Sequence, residues 1–239
     1  MKVLGLETSG QTAGVALVRD GEIVCERSFV ARMTLNPRLA PEIVELLGGL
    51  PRDAGLDAIA TGIGPGSFTG VRMGVAIAKA LSHALGVPLA GISAPEAIVA
   101  AIGAEPGTGV CVLQRARADE LYATALTVAA DGIGEEVEPT RVLTLPRALR
   151  TAEELLGREP QLFAGDAAGG LIDQIRSIFP EAAVAADEHQ CVPQAGQIAR
   201  VAAARPDRLV AQAAFALTPR YVRASQAERQ FGVDLGLRG

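Results

Sequence analysis

The same order of elements can be read twice along this chain, and that duplication limits the folds open to it. Lys2 to Glu7 is a short apolar run of strand character. Thr12 to Arg19 and Glu22 to Val30 flank Asp20-Gly21, a two-residue hairpin signal. Asn36-Pro37 offers an N-cap and a first helical residue, and Leu39, Ile43, Leu46 and Leu47 follow at helical spacing. A strand over Asp57 to Thr61, a glycine loop, a helix to about Leu85, a strand over Pro88 to Ile92 and a short helix from Ala94 complete the first half. In the second half, Gly109 to Gln114, Glu120 to Ala129 and Glu135 to Leu143 read as strands, with Asp131-Gly132 as a second hairpin signal. Pro146 opens a helix to Leu156, Gln161 to Ala164 is a strand running into Gly165-Asp166, and Leu171 to Phe179 is helical. Ala182 to Ala185 and Gln194 to Ala204 supply a last strand and helix. Strand-strand-strand-helix-strand-helix, taken twice, predicts an α/β fold of two βββαβα lobes. The glycine- and proline-bearing stretch Gly103 to Gly109 is the expected junction, which puts the lobes at 1–104 and 105–223 and a tail at 224–239. The segment from Thr218 onward is expected to be a tail or a last helix crossing between the halves.

Within the first half, Gly62-Ile-Gly-Pro-Gly-Ser-Phe-Thr-Gly-Val-Arg-Met-Gly74 joins a strand to a long helix. A glycine-lined strand-to-helix turn places free N–H groups at the positive end of a helix dipole, where an anion can sit. The spacing is neither the P-loop, which needs a Lys after its last glycine, nor the dinucleotide G-x-G-x-x-G. Two readings stay open: an anion site, or a tight turn with a close helix contact. The helix beyond it carries Arg72, Lys79 and His83 on one stripe and apolar residues over most of the rest, so it is expected to be buried on more than one side. Gly70, Gly74 and Ala78 lie one turn apart and form a small-residue ridge that admits another backbone, from its own domain or from a partner.

Composition narrows the function classes. Among 239 residues there is no Trp, so the core must be built from Ala, Val, Leu and Ile. A formal net charge of −5 argues against a broad phosphate-binding face, and the cluster Arg115, Arg117 and Arg141 reads either as a local nucleic-acid phosphate contact or as ordinary solvated surface. The three cysteines, Cys25, Cys111 and Cys191, form no C-x-x-C pair and read as reduced thiols. With no signal peptide and no apolar run of spanning length, a cytoplasmic protein away from membranes is expected. The two histidines, His83 and His189, lie in opposite halves without a ligand cluster and are expected at the surface. Ser67 stands in Gly-Ser-Phe rather than in a G-x-S-x-G elbow and lacks a His–acid pair, which speaks against a serine hydrolase.

Met1-Lys-Val-Leu-Gly-Leu-Glu-Thr-Ser9, the Gly62–Gly74 loop and Pro219-Arg-Tyr-Val-Arg223 together resemble the TsaB family, formerly YeaZ. The resemblance runs over nearly the whole chain in the same order. It implies the duplicated actin/Hsp70/sugar-kinase-like (ASKHA) fold. It also implies a role as accessory subunit in threonylcarbamoyladenosine synthesis on tRNA. Family members pair with a TsaD-like catalytic subunit, which modifies N6 of adenosine 37 in tRNAs reading ANN codons. A TsaE-like ATPase joins, and a homodimer forms through the same face. By resemblance that face is the pair of N-terminal helices, with Leu39, Ile43, Leu46, Leu47, Gly70, Val71, Arg72, Gly74, Val75 and Ala78 as candidate contacts. TsaD-like proteins carry a His-x3-His metal pair whose positions here are Ala94 and Ile98, neither of which can bind a metal. Two departures from the family pattern are Leu35, where many relatives have His, and Arg115-Ala116-Arg117, where many have Asp-Ala-Arg.

The fold also raises nucleotide binding. In actin-like ATPases an Asp ending the first strand orients Mg²⁺, and here Glu7-Thr8-Ser9 stands in its place. Gly64, Gly66, Gly165 and Asp166 complete the candidate nucleotide set, although Asp166 reads equally well as a helix cap. The expectation is a non-catalytic subunit with no cofactor of its own, ATP and Mg²⁺ acting at the level of the complex. The alternative is a small ASKHA-fold ATPase or phosphotransferase acting alone.

Overall fold

The computed structural model describes residues 1–31, 35–157, 162–185, 187, 189–211 and 216–222. The first lobe is a five-stranded sheet of β1 (Lys2–Glu7), β2 (Thr12–Arg19), β3 (Glu22–Val30), β4 (Ala58–Gly62) and β5 (Leu89–Ile92), in the order β3-β2-β1-β4-β5. The second is built from β6 (Gly109–Arg115), β7 (Glu120–Val128), β8 (Gly134–Thr144), β9 (Leu162–Ala164) and β10 (Ala183–Val184). Its order, β10-β9-β6-β7-β8, is the first order over again. The first three strands of each lobe pair antiparallel, and the fourth and fifth add parallel. This is the duplicated α/β arrangement of the actin/Hsp70/sugar-kinase type.

The hairpins follow their turn residues. Asp20 and Gly21 both take positive φ, 53° and 87°, as a two-residue primed turn between twisted strands requires. The second hairpin is wider than its Asp-Gly suggests. Ala129 N–H donates to the Ile133 carbonyl at 2.9 Å, so the chain turns through Ala130, Asp131 and Gly132.

Helices cover both sheets. On one face of the first sheet lie α1 (Leu35–Leu47) and α2 (Phe68–Leu85), which close a core around Leu4, Leu6, Val15, Leu39, Ile43 and Ile59. Helix α1 spans Leu35–Leu47, so Asn36 and Pro37 both lie within it. Pro37 is tolerated there because the first four N–H groups of a helix have no partner within it. Leu35, the residue that departs from the family pattern, is buried in this core. Helix α4 (Leu145–Leu156) and the short α5 (Ile172–Ile178) close a second core with Leu113, Leu149, Phe163 and Ile175. Gln161, assigned to β9 from sequence, lies outside the described residues.

Two helices cross between the lobes. Helix α3 (Ala94–Ile102) follows the first lobe, yet Ile98 and Val99 pack with Val110, Val112 and Leu126 of the second. Helix α6 (Ala195–Ala204) follows the second lobe, yet Ile198, Ala199 and Ala202 pack with Val3, Val18 and Ala60 of the first. Gly5 makes this possible, since a Cβ there would lie 2.2 Å from the Ala195 carbonyl oxygen. The Glu26 carboxylate of β3 accepts the Gly196 N–H at 3.0 Å and so serves the first turn of α6 from the other lobe. The helices that cross are thus α3 and α6. Residues 216–222 form no regular element, and 223–239 lie outside the described residues. Among the described residues no helix is long and apolar enough to cross a membrane.

Because α3 and α6 each pack on the sheet of the other lobe, the lobes should unfold together. Ile198→Ala is expected to cost about 2–5 kcal/mol, the range for emptying a buried Ile site, and to leave a single transition in urea. Separate transitions for the two lobes would contradict the exchange.

Candidate docking face and glycine-loop junction

The glycine loop is a socket for the end of β1. Gly62, Gly66, Gly70 and Gly74 recur every four residues, and each faces the turn Glu7-Thr8-Ser9. A Cβ at Gly62 would lie 2.0 Å from Glu7 Oε2, and one at Gly66 would lie 2.4 Å from the Ser9 carbonyl oxygen. At Gly70 it would lie 2.1 Å from the Thr8 carbonyl oxygen, and at Gly74 2.2 Å from Thr8 Oγ1. Any side chain would force the turn away. Hydrogen bonds fix the contact: Thr8 Oγ1 donates to the Gly70 carbonyl at 2.8 Å, and Ser67 N–H donates to the Ser9 carbonyl at 2.7 Å. Ser67 also caps α2, its Oγ accepting the Gly70 N–H at 3.2 Å. Of the two readings of this loop, the geometry is that of the close helix contact.

Glu7 is turned inward. Its Oε1 accepts the Ser9 N–H, and its Oε2 is buried against Gly62 without a hydrogen-bond partner among the described residues. Burial pushes its carboxyl above the usual carboxylate range, against the pull of Ser9. The carboxyl is buried against Gly62 rather than open to solvent. In the second lobe, Gly165 takes φ 97°, and a Cβ there would lie 2.2 Å from the Leu113 carbonyl oxygen. Asp166 caps no helix, because its Oδ1 accepts the Arg115 N–H at 2.8 Å and so ties β9 to β6. Both therefore have structural partners at the positions considered for nucleotide.

The terminal motif lands on the glycine loop. Arg220 N–H donates to the Ile63 carbonyl at 2.8 Å, and Gly64, through its carbonyl, accepts the Ala94 N–H of α3 at 2.8 Å. The Tyr221 and Phe68 rings meet at 5.0 Å, and the Arg72 guanidinium lies 5.1 Å from the centre of the Phe68 ring. Charge pairs extend the junction across the lobes. Arg220 pairs with Glu136 of β8, Arg208 pairs with Glu96 of α3, and Ser93 Oγ donates to Glu96 at 2.8 Å. Arg205 reaches Asp131 at 2.9 Å and Glu135 at 3.0 Å and holds the Asp131 carboxyl below its usual range.

The candidate contacts on α1 and α2 need correction. Leu39, Ile43, Val71, Val75 and Ala78 are buried in the chain's own core, and Leu46 and Leu47 pack half-buried against it. The ridge of Gly70 and Gly74 admits a backbone, but that backbone is Thr8 of the same chain. Of the residues proposed for this face, Arg72 alone is exposed. The open faces consist of others: Phe68, Thr69, Ala76 and Ala80 on α2, and Ala40 and Val44 on α1. Sequence reasoning missed Phe68 and Tyr221. The available signal was scarcity, since a chain with 6 Phe and 2 Tyr places one of each in its two motifs.

Other candidates separate. Arg141 pairs with Glu138, whereas Arg115 and Arg117 line a different part of the second lobe. His83 and His189 are exposed, and no disulfide joins the three cysteines. Ala94 and Ile98, the positions matching a His-x3-His pair, are fully buried in apolar packing. Among the described residues no group of His, Cys, Asp and Glu is placed to hold a metal ion.

Known proteins match this arrangement. A family model described as TsaD, tRNA N6-adenosine threonylcarbamoyltransferase, matches residues 38–231. The tRNA threonylcarbamoyladenosine biosynthesis protein TsaB of Bacillus subtilis (strain 168) is 32% identical over 168 residues, which cover 69% of this chain and 71% of that one. Its namesake in Escherichia coli (strain K12) is 32% identical over 146 residues, 58% of this chain and 61% of that one. The solved structure of YeaZ from Pseudomonas aeruginosa aligns with a TM-score of 0.65 at 26% identity, covering 92% of this chain and 99% of that one.

Two variants test the socket. Gly74→Ala should destabilise by about 1–3 kcal/mol through overpacking against Thr8. Adding Thr8→Ala should return part of that loss, so a double-mutant cycle in urea reads a coupling of about 0.5–3 kcal/mol; purely additive losses would show that Thr8 does not fill the ridge. Glu7→Gln tests the buried carboxyl. A carboxyl whose folded pKa is raised contributes fully below its unfolded value, and the contribution is lost as pH rises toward the folded value. The stability of Glu7→Gln relative to the parent should therefore improve as pH rises from below the ordinary carboxylate value, and a pH-independent difference would contradict the burial.

Proposed function

Because this chain belongs to the TsaB (YeaZ) family, we infer that it acts in tRNA threonylcarbamoyladenosine biosynthesis as the subunit that docks a TsaD-like catalytic partner. It contributes no reacting group of its own. The partner transfers the threonylcarbamoyl group to N6 of adenosine 37 in tRNAs that read ANN codons, and tRNA reaches this chain through the complex. A TsaE-like ATPase joins the assembly, and ATP and Mg²⁺ act at that level. In the absence of the catalytic subunit the same face pairs two copies of this chain.

The observation that carries this reading is the outward face of α2. Its inner ridge is filled by Thr8, so Thr69, Ala76 and Ala80 face outward beside half-buried Met73 and Ile77. Small exposed residues let a partner helix approach closely. Phe68 and Arg72 at one end are the residue types that anchor interfaces, and Tyr221 holds the Phe68 ring in place. Ala94 and Ile98, sealed in the core where TsaD-like proteins have metal-binding histidines, support a subunit without the chemistry. The inward Glu7 carboxyl favours this reading over a free-standing ATPase.

Gel filtration with the cognate TsaD-like subunit tests the proposal. The parent chain is expected to co-elute with it. Ala76→Arg, a change at an exposed site, should elute separately while melting at the parent temperature. Co-elution of Ala76→Arg at parental strength would overturn the assignment of this face.

A further inference from the structure

The second lobe contains a cavity of about 780 Å³ that the docking role does not use. It lies between the β6–β7 hairpin, the start of α4, and α5. Leu121, Leu149 and Ala167 are buried beneath it, and half-buried Leu145 and Leu171 line it as well, so its interior is apolar. Its volume is within the range of small-molecule sites, roughly 300–1,000 Å³.

The opening is charged. Arg115 and Arg117 are exposed at the hairpin, with Asp119 and Glu120 beside them. The Arg115 guanidinium passes over Gly170, where a Cβ would lie 3.4 Å from its Nη2. Among the described residues Arg117 makes no ion pair. Thr144, at the N-cap of α4, makes no side-chain hydrogen bond to that helix, so the positive pole of α4 adds to the arginines at the rim. Asp119 and Glu120, together with Asp166, whose carboxylate accepts the Arg115 N–H, offset this charge, which favours a ligand with a single acidic group over one that carries several. We propose that this cavity binds an amphipathic organic anion, with an apolar body against Leu121 and Leu149 and a single acidic group at Arg115 and Arg117. Two sources supply that chemistry: an aliphatic carboxylate, or a nucleoside monophosphate.

The test is displacement of the fluorescent anion 8-anilinonaphthalene-1-sulfonate from the full chain. One saturable site is expected, emptied by octanoate, by adenosine 5′-monophosphate, or by both, and the effective competitor identifies the source. Arg117→Glu should weaken binding roughly tenfold, the factor that corresponds to about 1.4 kcal/mol, and Ser177→Phe should weaken it by narrowing the cavity. Both positions are exposed, so both variants should melt with the parent. The proposal is overturned by the lack of a saturable site at about 1 mM probe, a weak-binding limit. It is also overturned if neither competitor displaces the probe, or if neither variant changes binding. Co-elution of Arg117→Glu with the TsaD-like subunit reads the docking role separately, because α1 and α2 belong to the other lobe.

Discussion

The turn Glu7-Thr8-Ser9 sits in a row of four glycines, and much of the first lobe's geometry depends on that contact. Gly62, Gly66, Gly70 and Gly74 let the end of β1 come within hydrogen-bonding distance of the α2 backbone. Thr8 and Ser9 then fix the start of α2 through Gly70 and Ser67. The helix is held close on its inner side, and its outer side is left with small residues at the surface. Of the two readings the sequence leaves open for this loop, an anion site or a close helix contact, the structure has the second.

A second constraint couples the lobes. Helices α3 and α6 each pack on the sheet of the other half, and the close approach of α6 rests on Gly5. The segment after α6 then returns along the junction, where Arg205, Arg208 and Arg220 meet carboxylates on α3 and around the β7–β8 hairpin. Exposed ion pairs contribute little individually. These bridge the lobes at partly buried sites and add geometric definition to a junction already closed by apolar packing. The Pro219-Arg-Tyr-Val run and the glycine loop, distant in sequence, are in contact because Arg220 bonds to Ile63 and the Tyr221 ring packs at a tilt on Phe68.

Much of the fold was legible because it rests on local patterns. Strands β1 to β3 and the Asp20-Gly21 turn follow from alternation and turn chemistry, and the duplicated order follows from pattern matching between the halves. What was not legible depends on contacts between distant residues. Nothing near Gly74 in sequence says that Thr8 fills its side, and nothing near Asp166 says that its acceptor is taken by Arg115. The same holds for α6, whose apolar positions do not reveal which sheet they cover. On α1 and α2, apolar periodicity marked the buried face correctly as apolar. It does not separate core from partner surface, and Leu39, Ile43 and Val75 are buried in the chain's own core. The outward face is small and mixed in character, with little periodic signal.

Membership in the TsaB family and the inward commitment of the glycine loop lead to one central claim: the outer faces of α1 and α2 receive the catalytic subunit. Hydroxyl-radical footprinting of this chain, alone and mixed with its cognate TsaD-like subunit, tests it at the level of side chains. The account predicts that oxidation of Phe68 and Met73 falls on mixing, while the second-lobe residues Leu171 and Ile178 stay as reactive as before. Unchanged oxidation of Phe68 and Met73, with protection appearing only on the second lobe, would contradict it.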